Sequence, residues 1–259
     1  IAKILDAAEL GPEDQVLEIG PGLGVLTREL AAQAGKVVAV ELDRALEPHL
    51  APLLEAHPSL ALVWGDFLKT PWAELPFDAS KPVKVVANIP YYITTPILLR
   101  LLQAERLERE PLADVPPLAE RILLMVQWEV AKRLTASPGT KDFGSLTIMA
   151  QYAAEVSIVT KVPAGAFRPR PEVDSAVVML RPRHTPPVEV RDAKVLFRVV
   201  RTVFQQRRKT LQNGLLSAGF PRETIQAASQ ALGLDLGRRA ETLSLQEFAA
   251  LADALAANA

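Results

Sequence analysis

Five short apolar runs alternate with helix-length segments over the first 130 residues of the chain. The runs are QVLEIG (15–20), KVVAVEL (36–42), LALVWGD (60–66), VKVVANI (83–89) and RILLMVQ (121–127). Helices are predicted between them over 24–34, 44–57 and 95–110, and a proline-rich connection over 108–120. Strands that alternate with helices are typical of a parallel sheet covered by helices. The sequence therefore predicts an α/β fold with a Rossmann-like sheet.

The pattern changes further along the chain. A helix, a loop and a second helix are predicted over 129–153, and two β-rich runs, 154–162 and 174–182, flank the proline-dense segment 163–173. These two runs are expected to close the sheet as an antiparallel pair. Strand patterns cease near Pro186, and helices are predicted over 192–216, 222–234 and 244–257. We therefore expect two domains, a Rossmann-like domain over 1–185 and a small all-helical domain over 186–259.

Composition excludes several classes of site. The chain has no cysteine, so disulfides, thiolate nucleophiles and Cys-ligated zinc are excluded, and its three histidines lack metal-ligand spacing. No metal site is expected. No apolar stretch approaches the roughly 20 residues of a membrane helix, so we expect a soluble, cytoplasmic chain without membrane contact. The net charge of -1 means that any nucleic-acid contact requires a local basic patch.

A glycine run lies between the first predicted strand and the helix after it. Gly20, Gly22 and Gly24 in LEIGPGLG let the backbone turn tightly and approach a ligand closely. Such a run is also compatible with a simple tight turn. The dinucleotide fingerprint requires a third small residue where this chain has Val25, which disfavours a bound NAD pyrophosphate.

Acidic residues follow the second and third predicted strands. Glu41, followed by Leu42, is suited to accept hydrogen bonds from two vicinal ribose hydroxyls. Asp66 can accept from an adenine amine, with Phe67 as an apolar wall, although a loop glycine followed by a capping Asp is the alternative. Because open α/β sheets bind ligands at the carboxyl ends of their strands, these features together favour S-adenosylmethionine.

The fourth strand ends in NIPY. An adenine N6 amine is a poor nucleophile, and acceptors aimed at its two protons would direct its lone pair at a methyl donor. The side-chain carbonyl of Asn88 is one such acceptor, and Pro90 fixes the chain so that the Ile89 carbonyl is a second. Tyr91 can stack on the base, and Phe167 on a proline-stiffened loop can cover its other face. A strand-ending turn with a core tyrosine is the alternative.

With these residues in place, the chain resembles the ribosomal RNA adenine N6,N6-dimethyltransferases. The resemblance rests on LEIGPGLGVLT, VELD, GDFL, NIPYYITTPIL, MVQWEVAKRL, PGTKDFGSLTIMAQY, VPAGAFRPRPEVDSAVV and QRRKTLQNGL, which together span nearly the whole chain. It is most similar to the bacterial small-subunit enzymes that dimethylate two adjacent adenosines near the 3′ end of 16S rRNA. The resemblance implies S-adenosylmethionine as cofactor, 16S rRNA in the 30S subunit or its precursor as partner, and a monomer.

The resemblance also assigns roles to residues. It implies cofactor contacts at Gly20, Glu41, Asp66 and Asn88, and target-base contacts at Asn88, Tyr91 and Phe167. The predicted cofactor site also includes Gly22, Leu42 and Phe67, and the predicted catalytic group also includes Ile89 and Pro90. Family members carry an N-terminal segment that covers the cofactor, and Ile1 of this chain corresponds to a position after that segment.

Three alternatives remain open. The first is a 23S rRNA adenine dimethyltransferase of the macrolide-resistance type, which shares NIPY and the Phe167 loop. The second is an RNA-binding assembly factor that keeps this fold without catalysis. The third is an NAD oxidoreductase, which Val25 and the lack of a hydride-transfer acid or base disfavour.

A basic stripe is predicted in the C-terminal domain. If 194–211 is one helix, Arg198, Arg201, Gln205 and Arg208 fall within about 80° of one another at about 100° per residue. The RNA-binding residues predicted from this stripe and the positions beside it are Arg198, Arg201, Arg207, Arg208 and Lys209. A solvated charged face is the alternative explanation.

Overall fold

A computed structural model describes residues 1–107, 118–168 and 170–257. Most of the predicted connection over 108–120, the end of the helix predicted over 95–110, and Pro169 lie outside the described residues. The seven strands are β1 Gln15–Ile19, β2 Lys36–Glu41, β3 Leu60–Trp64, β4 Val83–Asn88, β5 Arg121–Gln127, β6 Ala154–Val162 and β7 Ser175–Pro182.

The strands form one sheet in the order β3-β2-β1-β4-β5-β7-β6. The pairs from β3 to β5 are parallel, and β7 runs antiparallel to β5. The predicted α/β fold is confirmed.

Eleven α-helices are described. They are α1 Ala2–Ala8, α2 Val25–Gln33, α3 Glu47–Ala56, α4 Thr94–Leu101, α5 Ala104–Leu107, α6 Trp128–Leu134, α7 Ser145–Ala153, α8 Ala193–Gln205, α9 Leu211–Ser217, α10 Arg222–Leu232 and α11 Leu245–Ala257. Helix α2 packs on β2 and α3 packs on β3. All five residues of β1 are buried, as expected for a central parallel strand.

The strand order reverses at β1. The chain proceeds from β1 to β2 and β3 on one side, and then returns to place β4 on the other side of β1. In open α/β sheets the crevice at such a reversal, outside the carboxyl ends of the strands, is where ligands bind. The glycine run follows β1 and Asn88 ends β4, so both motifs lie at this crevice.

The helix predicted over 192–216 is interrupted. Helix α8 ends at Gln205 and α9 begins at Leu211, so Arg208 lies in the turn between them and not on the stripe with Arg198. Helix α9 folds back against α8, and a Cβ on Gly214 would lie only 2.9 Å from Val203 Cγ1. This close packing requires the chain to turn at 206–210, and periodicity alone does not reveal it.

The described chain divides into two compact units that interleave along the sequence. One comprises 1–102, 118–131 and 156–182, and contains most of the sheet. The other comprises 103–107, 132–155 and 183–257. It is built around aromatic contacts, including Phe143 with Phe204, Phe204 with Phe248, and Tyr152 with Phe197. The predicted boundary at 185/186 divides the chain once, whereas the second compact unit also includes residues that precede that boundary.

Candidate active site

The loop after β1 adopts a backbone that favours glycine. Gly20, Gly22 and Gly24 all have positive φ, of 68°, 57° and 77°. A Cβ on Gly24 would lie 2.3 Å from Leu53 Cδ1, so a side chain there would have to push the Leu53 side chain of α3 aside. Gly22 has open space around its Cα, which leaves room for a ligand to approach the backbone.

Glu41 joins the ends of the first three strands. Its side chain is 7% exposed, and its two carboxylate oxygens accept from Gly22 N at 3.2 Å and Asp43 N at 2.9 Å. Its main-chain oxygen accepts from Gly65 N at 2.8 Å. The carboxylate therefore holds the glycine loop. Leu42, the next residue, is 65% exposed.

Asp66 lies in the loop after β3. Its Oδ1 accepts from Leu68 N at 2.9 Å, while Oδ2 is 3.7 Å from the exposed ammonium of Lys69. An exposed pair at that distance contributes little stability, because water screens the charges. Asp66 is half-buried and remains able to accept a further hydrogen bond.

Arg100 holds the loop that contains Asp66, and it was not predicted from the sequence. Its guanidinium donates to the carbonyls of Leu68 and Thr70 and lies 4.9 Å from the centre of the Phe67 ring. Phe67 is only 5% exposed, so its ring packs beneath Arg100 and is not an open wall. Burial lowers the pKa of Arg100, and the nearby Asp66 opposes that effect.

Asn88 is exposed at the end of β4. Within the described ranges, no protein group bonds to its side-chain amide. A Cβ on Gly20 would lie 3.6 Å from Pro90 Cδ, so the glycine loop and NIPY touch. Ile89 is 1% exposed, and the Pro90 carbonyl accepts from Ile93 N at 3.2 Å. The side-chain amide of Asn88 therefore lies beside the glycine loop without a hydrogen bond to any described protein group.

The two predicted aromatic residues are both half-buried. The Tyr91 hydroxyl bonds to Ser175 Oγ at 2.5 Å. Phe167 ends a short helical turn over Ala164–Ala166. By contrast Tyr92, adjacent to Tyr91, is 83% exposed.

A cavity of about 690 Å³ lies at the reversal of the sheet. This volume is within the range of about 300–1,000 Å³ for small-molecule sites. Its lining includes Glu18, Gly20, Gly22, Asn88, Lys161 and Phe167. The residues predicted for the cofactor and base sites that are not part of this lining are Glu41, Leu42, Asp66, Phe67, Ile89, Pro90 and Tyr91. Glu41 nevertheless accepts from the amide of Gly22, which lines the cavity.

Glu18, the fourth of the five residues of β1, is a second residue that was not predicted from the sequence. It is 1% exposed, lines the cavity, and its Oε2 has no hydrogen-bond partner among the described residues. Burial raises the pKa of Glu18 to about 8; the nearby Thr27 hydroxyl opposes this shift and Glu41 adds to it. An acidic residue within a fully buried apolar strand is the sequence signal that points to such a site.

The predicted RNA-binding residues divide into two groups within the second compact unit. Arg198 donates to the Ala218 carbonyl at 2.5 Å, and Arg207 donates to the carbonyls of Lys141 and Phe143, both at 2.8 Å. These two side chains are committed to contacts within the unit.

The other predicted RNA-binding residues lie on the surface. Arg201 is exposed on α8, and Arg208 and Lys209 are exposed in the turn before α9. In the described part of the chain, no side-chain bond is formed by Arg208 or Lys209.

None of the helices in the described residues is both long and apolar enough to cross a membrane. Among the described residues, no group of three or more His, Asp or Glu side chains is placed so that it could hold a metal ion.

The sheet order, the glycine loop after β1 and the ligand crevice define a Rossmann-like methyltransferase. Two solved structures share this fold. A dimethyladenosine transferase from Plasmodium falciparum aligns with a TM-score of 0.75 at 27% identity, covering 96% of this chain and 92% of that one. The 23S rRNA methyltransferase ErmE aligns with a TM-score of 0.70 at 32% identity, covering 98% and 96%.

The chain belongs to the ribosomal RNA adenine dimethylase family, whose profile matches residues 1–257. The ribosomal RNA small subunit methyltransferase A of Moorella thermoacetica is 47% identical, covering 98% of this chain and 87% of that protein. The protein of the same name from Geobacillus thermodenitrificans is 46% identical, covering 98% and 86%. The predicted family and methyltransferase class are confirmed, and the NAD oxidoreductase alternative is set aside.

Proposed function

We propose that this protein transfers methyl groups from S-adenosylmethionine to the N6 atoms of two adjacent adenosines near the 3′ end of 16S rRNA. The observation that carries the proposal is the presentation of the unpaired Asn88 amide beside the glycine loop, at a cavity that Phe167 also lines. The chain is 42–47% identical in sequence to small-subunit methyltransferases and 32% identical to a 23S rRNA enzyme, which favours the small-subunit substrate. We infer that the protein acts in the cytoplasm, as a monomer, on the 30S subunit or its precursor.

The residues of the crevice fit the cofactor. A cation that enters the cavity would pair with the buried Glu18 carboxylate, whose Oε2 otherwise lacks a hydrogen-bond partner among the described residues. Glu41 would accept from the ribose hydroxyls and Asp66 from the adenine amine. When bound, S-adenosylmethionine supplies an electrophilic methyl group on a sulfonium.

Asn88 and its neighbours orient the nucleophile. The side-chain oxygen of Asn88 and the Ile89 carbonyl accept the two N6 protons, which favours a pyramidal amine whose lone pair points to the methyl group. Pro90, held against Gly20, keeps this segment from shifting. These are preorganised acceptors, whose individual removal typically costs about 10²–10³ in rate.

The aromatic residues hold the base. Tyr91 and Phe167 stack on the adenine after it has left its own stack, as enzymes acting on bases require. Stacking contributes about 1–3 kcal/mol per base and is independent of sequence. No strong base is needed, because the nitrogen becomes acidic only as its new bond to carbon forms. Asn88 is exposed, so the proton leaves to water.

The turn between α8 and α9 docks the RNA. Arg208 and Lys209 are exposed there, with Arg201 on the preceding helix. Phosphate contacts of this kind fix register without selecting sequence. Since Arg198 and Arg207 bond to carbonyls within their own unit, we assign them a supporting role.

The proposal is tested with tritiated S-adenosylmethionine and ribosomal particles from cells that lack the modification. Label in 30S particles, recovered as N6,N6-dimethyladenosine in 16S rRNA, is the expected result. Label only in 50S particles would assign the 23S rRNA activity instead. Binding to 30S particles without label would indicate an assembly factor that lacks catalysis.

A further inference from the structure

We propose that two successive residues, Asp174 and Ser175, are positioning residues that set the two aromatic faces of the adenine site. This inference rests on the proposed function, because it concerns the site for the target base. Ser175 begins β7, and Asp174 immediately precedes it. One of them bonds to Tyr91, and the other bonds to the turn that leads to Phe167.

Ser175 orients Tyr91. Its side chain is fully buried, and its Oγ bonds to the Tyr91 hydroxyl at 2.5 Å. Tyr91 follows β4, and β5 lies between β4 and β7, so the phenol reaches across the end of β5 to make this bond. A buried hydroxyl requires a partner, and satisfying it at one fixed point restricts the ring. Tyr92, by contrast, is exposed.

Asp174 fixes the turn that ends at Phe167. Its Oδ1 accepts from Ala164 N at 3.0 Å, and its main-chain oxygen accepts from Trp128 N at 2.9 Å. Phe167 N in turn donates to the Ala164 carbonyl at 3.3 Å. The carboxylate therefore holds the first residue of the turn, and the turn sets the direction of Phe167.

Lys161 completes this arrangement. Its ammonium is 2.8 Å from Asp174 Oδ2 and 5.1 Å from the centre of the Trp128 ring. The bond from Lys161 lowers the pKa of Asp174, and the Ala164 amide lowers it further. Lys161 and Phe167 both line the cavity with Asn88. Two aromatic residues far apart in sequence are thus held by one dipeptide at the start of β7, as precise positioning requires.

The first test is a double-mutant cycle with Tyr91→Phe and Ser175→Ala, each of which removes one hydroxyl, breaks the same bond and keeps the aromatic ring. We expect each single variant to lower kcat/KM for 30S particles about tenfold, and the double variant to lose no more than either single one. The calorimetric Kd for S-adenosylmethionine should stay unchanged. Tyr92→Phe, which removes the exposed hydroxyl next to it, is the matched control.

The second test compares Asp174→Asn with Asp174→Ala. The asparagine keeps an oxygen for Ala164 N, so it should restore at least half of the activity that alanine loses. With 2-aminopurine at the target position in the RNA, Asp174→Ala should give the same emission as Phe167→Ala, because both leave the base without that ring. Hydrogen exchange of the Ala164, Ala166 and Phe167 amides should be slow in the wild type and in Asp174→Asn, and fast in Asp174→Ala.

The possible outcomes are separable. Additive losses in the cycle, a parallel loss of cofactor affinity, or asparagine as damaging as alanine would each overturn the positioning role. Failure of the wild type on 30S particles would refute the proposed substrate alone, and the same ratios would then be measured on 50S particles. If neither particle accepts label, hydrogen exchange still decides, since equal protection in wild type and Asp174→Ala would show that Asp174 does not hold the turn.

Discussion

Cofactor binding should release protons from Glu18. With a pKa of about 8, this carboxyl is about 90% protonated in the free protein at pH 7. Pairing with the cationic cofactor favours the ionised form, so close to 0.9 proton should leave per molecule bound. The cofactor's α-amino group, with a pKa of about 7.7–8.0, should take up about 0.1 proton as it pairs, leaving a net release of about 0.8.

Isothermal titration calorimetry in buffers of different ionisation enthalpy measures this number directly. It is the slope of the observed binding enthalpy against the ionisation enthalpy of the buffer. In Glu18→Gln the release should vanish and the cofactor Kd should rise, whereas the matched variant Glu29→Gln, on the exposed face of α2, should behave as wild type. A wild-type slope near zero at pH 7, or an unchanged slope in Glu18→Gln, would refute the pairing of Glu18 with the cofactor.

The same residue predicts a trend in stability. Because the folded protein holds the Glu18 proton up to about pH 8 and the unfolded chain loses it near 4.5, the native state binds more protons between these values. The free energy of unfolding of the cofactor-free protein should therefore fall as pH rises through this window, by up to about 1.4 kcal/mol per pH unit. Glu18→Gln should flatten that slope in urea titrations.

Four further variants test the site and the RNA contact. Asn88→Ala should lower kcat by about 10² or more while the calorimetric Kd for S-adenosylmethionine changes little. Glu41→Ala should weaken cofactor binding before it affects turnover, because it removes the proposed ribose acceptor and the bond to the Gly22 amide. Arg100→Met should raise the cofactor Kd about tenfold and lower Tm. The reason is that the Asp66 loop loses the two hydrogen bonds that the charged Arg100 guanidinium donates to it. Joint reversal of Arg208 and Lys209 to Glu should weaken binding to 30S particles and reduce its salt slope by about 2, without changing cofactor affinity.

Three of these variants have a control on an exposed side chain elsewhere. Asn213→Ala matches the amide variant, Arg28→Met matches the arginine variant, and Arg222→Glu with Arg239→Glu matches the double reversal. Parallel losses of cofactor affinity and turnover in Asn88→Ala would show that Asn88 is a cofactor ligand. Unchanged calorimetric affinity for the cofactor in Glu41→Ala would remove Glu41 from the ribose site. An unaltered salt slope in the double reversal would contradict the docking assignment.

Much of the fold was predictable because it is encoded locally. Strand β5 has the predicted bounds, and β1 ends one residue before its predicted end. A central parallel strand is buried on both faces, so its sequence is a continuous apolar run that stands out without structural information. The motif after β1 was equally visible, since positive φ at Gly20 and Gly22 strongly favours glycine.

The basic stripe was less predictable. Periodicity continued through 206–210, yet the chain turns there because α9 packs on α8 at Gly214. The bonds that commit Arg207 to main-chain carbonyls come from residues more than 60 positions earlier. Contacts over such separations depend on which helices pack together, and local pattern contains no record of that.

The sequence by itself determined the class of the protein and the residues at the strand ends, because each of those motifs is complete within a few neighbouring positions. Only the tertiary structure decided the state of Glu18 and the anchoring of Tyr91. The pKa of a carboxyl depends on the groups that surround it in space. The hydroxyl of Tyr91 reaches Ser175 because the sheet order places only β5 between β4 and β7. Chemistry that depends on residue type is therefore predictable from the sequence, whereas chemistry that depends on burial and on distant partners requires the fold.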